Sequence, residues 1–189
     1  VGWVYEGERA TRPSAAFFRL AFRSMLNPAN ERTLNCAVIP PGAGHVHAVQ
    51  SCAFKEPMQL VTAGCICSSL VADWYVKSMG RSSLNSTWMQ LPLIRPSSEL
   101  SARFLGLNCL SSHYESLWNE LFCVEFSYQA WSQPGNCRLP HSYWNELTST
   151  WARSSALRGD YARRMALLEL DVLAAMSIGI SLEELLLIY

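Results

Sequence analysis

The chain has 189 residues, 15 basic and 15 acidic side chains and a formal net charge of zero. Half of its residues are hydrophobic, which supplies a core for one domain or two small lobes and excludes an intrinsically disordered chain. No apolar run reaches the ~20 residues needed to cross a bilayer, so no membrane partner is expected.

The charge is unevenly spread. Residues 1–110 carry ten Lys or Arg against six Asp or Glu, and residues 111–189 carry five against nine. This polarity favours an anionic partner at one face. The seven Cys have neither metal-ligand nor disulfide spacing. With no signal peptide at the start, they read as reduced thiols of a cytoplasmic protein. The chain begins at Val1 and stops at Tyr189 inside an apolar helical pattern, so a fragment of a longer protein is expected.

Residues 1–54 read as β-rich. Val1 to Tyr5 is a short apolar run. Phe17 to Met25 partly alternates, with Arg19 and Arg23 among aromatic and aliphatic residues. Arg32 to Ile39 is a third run, closed by the turn signal Pro40, Pro41, Gly42, and His47 to Phe54 is a returning strand. Pro57 opens a helix that runs to about Met79 and stops at Gly80. It is apolar on two sides, as a buried helix is. A polar loop, Gly80 to Asn85, leads into a predicted strand, Asn85 to Ile94.

Ser97 or Ser98 caps the next helix, where Leu100, Phe104, Leu107, Tyr114, Trp118 and Leu121 recur at three- and four-residue steps. Glu125 to Leu139 reads as a loop, and a helical pattern returns from His141 to Arg158. Beyond Gly159, Asp160 caps a helix in which Tyr161, Met165, Leu168, Val172 and Ala175 form a heptad-like seam. Gly179 ends it, and Ser181 with Glu184 makes a capping box for a last short helix. The pattern predicts an α+β fold: a mixed β-sheet with a buried helix in residues 1–96, and a helical lobe in residues 97–189.

Arg19, Arg23 and Arg32 lie on the strand-like runs. Guanidinium groups suit planar, bidentate contact with phosphates and base edges; the alternative is a set of solvated or ion-paired strand arginines. Thr33 neighbours Arg32, and Arg81 and Asn85 have the chemistry for phosphate or adenine contact. The candidate DNA-binding set is therefore Arg19, Arg23, Arg32, Thr33, Arg81 and Asn85. His45 and His47 share a face of an extended segment but lack a carboxylate or Cys to complete a metal set, so they read as loop histidines beside a nucleic-acid backbone. Trp74, Trp88, Trp118, Trp144 and Trp151 read as core rather than as stacking platforms. No phosphate loop, nucleophile elbow or Ser/His/Asp set appears, so no catalytic residue, metal or cofactor is expected within these residues.

Several segments occur in a familiar order: Phe22 and Arg23 before Glu31, Arg32 and Thr33; Ala37 to Gly42; Ser69 to Trp74; Gln90 to Leu93; Arg163 and Arg164; Glu169 to Asp171; Ile178 to Ser181; and Glu183 to Leu185. This order resembles the C-terminal target-recognition region of large adenine-specific (N6) DNA methyltransferases of restriction–modification and phage-defence systems, including type IIG-like nuclease fusions. The resemblance implies double-stranded DNA as partner. It also implies a catalytic methyltransferase lobe elsewhere in the parent protein, which binds S-adenosylmethionine and methylates a flipped adenine. Ser24 stands where the family often has an acidic residue after the Phe-Arg pair, so the role of Arg23 does not carry over directly. A second reading is a protein-interaction module that docks through the seam from Tyr161 to Ala175.

Overall fold

The computed structural model describes residues 2–3, 12–94 and 96–189. Its fold is α+β. A two-residue ladder, β1 (Gly2–Trp3) with β2 (Arg12–Pro13), precedes an antiparallel sheet in which β3 (Arg19–Arg23) lies between β4 (Cys36–Ile39) and β5 (Val49–Ala53). Leu20 stands opposite Val38 and Cys52, and Phe22 opposite Cys36 and Gln50. Because side chains alternate along a strand, Leu20 and Phe22 enter the core with Val38, while Arg19, Ala21 and Arg23 belong to the outer face.

The third predicted run is a strand only from Cys36 onward. Residues 32–34 leave the ladder, the Thr33 and Leu34 amides donating to the Asp73 carboxylate instead of to a neighbouring strand. Of the Val1 to Tyr5 run, only Gly2–Trp3 lies within the described residues.

The helix expected over residues 57–79 is two helices, α1 (Pro57–Cys67) and α2 (Leu70–Ser78). Ser69 takes an extended conformation between them, and its hydroxyl accepts from the Ala72 amide as a helix cap. Seven residues of α1 are buried. Gly80, at φ +63°, ends α2 in the left-handed region. The predicted strand from Asn85 to Ile94 is instead a 3-10 turn, Thr87–Gln90. Trp88 stacks on Phe22 with ring centroids 4.7 Å apart, and Pro92 has no amide to give a ladder.

The back half contains α3 (Ser98–Asn108), α4 (Glu115–Leu121), α5 (Asp160–Ser177) and α6 (Leu182–Ile188). Ser97 caps α3, and the Ser181/Glu184 capping box opens α6. The helix expected over residues 141–158 is absent; turns and a short 3-10 segment, Arg153–Ser155, take its place. Hydroxyl side chains here bond to local backbone, as Thr148 Oγ1 does to the Thr150 carbonyl, and compete with helix formation.

One core cluster joins Leu20, Phe22 and Val38 of the sheet to Phe104, Trp118, Trp144, Leu170 and Ala174 of the back half. The expected boundary at residue 96 therefore runs through a shared interior. Trp118 and Trp144 are fully buried, whereas Trp74 is exposed. Along α5 the seam splits: Met165 and Ala175 are buried, while Leu168 and Val172 face outward. Among the described residues no helix is long and apolar enough to cross a membrane.

Candidate nucleic-acid interface

The six residues expected to meet DNA divide into two groups. Arg32 and Thr33 belong to the scaffold. The Thr33 and Leu34 amides donate to Asp73 Oδ1 at 2.6 and 2.7 Å, and Thr33 Oγ1 accepts from the Asn27 amide at 2.8 Å. Lys77 Nζ stands 3.1 Å from Asp73 Oδ2. Arg32 Nη2 pairs with Asp171 Oδ2 at 2.5 Å, and Asp171 Oδ1 accepts from the Leu70 amide at 2.7 Å. Burial raises the Asp171 pKa, against the opposing pull of the Arg32 guanidinium. These bonds tie residues 31–35 to α2 and α5. The expected outward projection of Thr33 and Arg32 is thereby corrected: Thr33 is buried, and Arg32 directs its donors to Asp171 and the Ser68 carbonyl.

Arg19 also turns inward. It is 5% exposed, with Nη1 donating to Ser51 Oγ at 3.3 Å and Nη2 to the Ala43 carbonyl. This correction has a packing cause: the loop of residues 40–48 closes over the outer face of β3, with Gly42 N donating to the Ala15 carbonyl at 2.8 Å.

Arg23 lies at one end of the sheet, where the loop that carries Arg81 and Asn85 runs antiparallel to the residues after β3. Beyond β3, the Ser24 amide donates to Ala48 O, the Leu84 amide to Ser24 O and the Leu26 amide to Ser82 O, each at 2.9 Å. Met25 bridges Ser83, and Gln50 Nε2 donates to the Asn85 carbonyl at 3.0 Å. These bonds lay the loop of residues 80–86 along residues 24–26.

Arg23 is exposed and makes no side-chain hydrogen bond or ion pair among the described residues. Arg81 is exposed, with one 3.3 Å bond to Thr87 Oγ1. Asn85 sits at φ +45°, a left-handed conformation that Asn tolerates better than most residues. Beside it a cleft of about 280 Å³ is lined by Phe22, Gln50, Trp88 and Met89. Met25 and Met89 are 66% and 63% exposed. The sequence reading missed Gln50, Met25 and Met89, because a polar residue in a strand and two scattered methionines carry no local signal of a shared surface.

Two other features have different chemistry. A groove of about 630 Å³ between residues 30–35 and α5 is lined by Arg32 and Arg164, but also by Glu31 and Asp171. Both cations there are paired, which weakens its appeal to a polyanion. Burial pushes the Cys36 thiol up to about 11 and Cys109 up to about 12, so neither supplies a thiolate nucleophile near neutral pH. Among the described residues no group of three His, Cys, Asp or Glu is arranged to hold a metal.

In comparisons with known proteins, the chain matches no family model, no curated protein and no solved structure.

Proposed function

We propose that this chain is a DNA target-recognition domain of a site-specific N6-adenine DNA methyltransferase or restriction–modification fusion. It binds duplex DNA and positions it for a catalytic lobe outside these residues, and that lobe binds S-adenosylmethionine. The observation that carries the reading is the exposed Arg23 at a sheet end along which the loop bearing Arg81 and Asn85 is laid. Arg23 has no internal partner among the described residues, so its charge is available to a phosphate. Asn85, on the loop laid along this sheet end, offers an exposed amide that suits an adenine edge. Seven free cysteines fit a reducing, cytoplasmic setting.

The test is duplex binding by fluorescence anisotropy across a salt series. Each phosphate contact contributes about −0.9 to the slope of log affinity against log salt. Arg23→Ala and Arg81→Ala should each flatten that slope by about one contact. A slope near zero in the unaltered protein, or two variants that bind like it, overturns the reading.

The protein-interaction reading draws on a different observation, the outward apolar residues Leu168, Val172 and Met176 of α5. Within the proposal they form the face that meets the catalytic lobe. Leu168→Asp with Val172→Asp should abolish co-purification with that lobe and leave duplex affinity unchanged.

A further inference from the structure

A guanidinium inside a protein is costly unless an anion or a full set of acceptors meets it. Arg32 and Arg103 follow that rule, pairing with the buried carboxylates Asp171 and Glu169. Arg19 does not. It is almost wholly buried, yet no carboxylate pairs with it among the described residues. Its Nε is buried without a hydrogen-bond partner, and its two acceptors, Ala43 O and Ser51 Oγ, are neutral.

The second acceptor leads outward. Because Arg19 Nη1 donates into Ser51 Oγ, the Ser51 hydroxyl proton is left for another acceptor. His45 Nε2 stands 2.9 Å from that oxygen, and His45 Nδ1 stands 3.2 Å from the Val46 carbonyl. His45 is exposed on the 40–48 loop, and Ser51 is half-buried on the outer face of β5. A buried, unneutralised cation thus lies beneath a hydroxyl and an imidazole that both reach the surface.

We infer that Arg19, Ser51 and His45 form an anion site that takes a phosphate oxygen on the outer face of the sheet. With the His45 ring donating from Nδ1 to the Val46 carbonyl and from Nε2 to Ser51 Oγ, which also accepts from Arg19, the Ser51 hydroxyl is the donor left to the oxygen, and Arg19 and the ring cation are the counter-charges. The chemistry is shared by a free phosphate and a nucleic-acid backbone; the second source rests on the DNA reading above. Arg19 and Arg23 belong to the same face of β3, four residues or roughly 13 Å apart, close to the ~12 Å width of the major groove.

Two arms test the site. In the first, the protein is titrated with inorganic phosphate while the backbone amide resonances of residues 43–53, that of residue 45 among them, are followed by NMR. In the second, a duplex is titrated by anisotropy over a salt series. Ser51→Ala and His45→Gln alter surface-reaching side chains outside the main core. Each should weaken phosphate binding by about tenfold, as loss of a charge-assisted hydrogen bond or of its counter-charge does, or reduce the duplex salt slope by about one contact.

A response in the phosphate arm alone supports the site with a free anion as its occupant. A response in the duplex arm alone supports it with a backbone phosphate. If phosphate leaves His45 unmoved and both variants bind duplex like the unaltered protein, the site is refuted; the DNA reading then survives as long as Arg23→Ala and Arg81→Ala still impair binding. Saturable phosphate binding at His45 in a protein that binds no duplex refutes the DNA reading and keeps the site.

Discussion

Arg32 and Asp171 stand 139 residues apart in the chain and 2.5 Å apart in the fold. Asp171 is nearly inaccessible, while about a quarter of the Arg32 side chain reaches solvent. Removing one partner of a fully buried pair costs about 3–5 kcal/mol. Water can reach part of Arg32, so Asp171→Ala should cost somewhat less, about 2–3 kcal/mol. Asp171→Asn should cost less again, because its amide oxygen still accepts from the Leu70 amide. Urea unfolding of the three proteins measures the order; equal midpoints for all three would show the pair to be dispensable.

Gly64 of α1 faces the ring of Phe104 in α3. A Cβ built at Gly64 would lie 2.1 Å from Phe104 Cζ, and both residues are in the core. Gly64→Ala should therefore destabilise by about 1–3 kcal/mol through overpacking. Phe104→Leu alone should cost a similar amount through a cavity. The double variant should be more stable than the sum of the two losses implies, since each change relieves the other. Simple additivity in denaturant melts would argue that the helices separate instead of clashing.

Asn85 combines a strained backbone with an exposed amide. Glycine adopts φ +45° without a Cβ penalty, so Asn85→Gly should fold as well as the parent and lose only the side chain. Asn85→Ala should lose about 1 kcal/mol because alanine is less suited than asparagine to this conformation. If Asn85 reads a base, both variants relax sequence preference in competition binding while keeping most of the non-specific affinity. If only Asn85→Ala changes binding, the backbone shape matters and the amide does not.

The capping box of α6 predicts a response to acid. The Ser181 amide and hydroxyl both donate to Glu184 Oε2 at 2.8 Å, and these bonds hold the Glu184 pKa below the ordinary carboxylate value. A depressed folded pKa means stabilisation that is present above the unfolded value and is lost as pH falls through the folded one. Amide exchange in Leu182–Ile188 should accelerate in that acid window. In Glu184→Gln the exchange should no longer change across it. Exchange that is insensitive to pH in the parent, after correction for the intrinsic rate, would refute the coupling.

Local signals in the sequence marked the punctuation of the fold well. Pro57, Gly80, Ser97, Gly159, Gly179 and the Ser181/Glu184 pair each bound an element, because capping chemistry acts within a turn or two. The alternation of Leu20 and Phe22 with arginines likewise identified β3. Partners distant in the chain were illegible. Nothing near Asp73 says that it receives amides 40 residues away, so Thr33 and Arg32 read as surface chemistry when they are anchors. The run from Asn85 to Ile94 alternates like a strand, but Trp88 satisfies its apolar face against Phe22 without a ladder. From His141 to Arg158 the apolar spacing suited a helix, while local hydroxyl bonding and a Trp144 ring drawn beneath Arg103 set another path.

The Arg32–Asp171 pairing also bears on how the chain is made. At ~5–20 residues per second of synthesis, Arg32 leaves the ribosome roughly 7–28 s before its counter-ion. Over that interval the nascent sheet can pair β3 with β4 and β5, but the segment leading into β4 lacks its α5 anchor. Vectorial synthesis thus delivers the sheet early and its fastening late, and cooperative closure waits until α5 has been made.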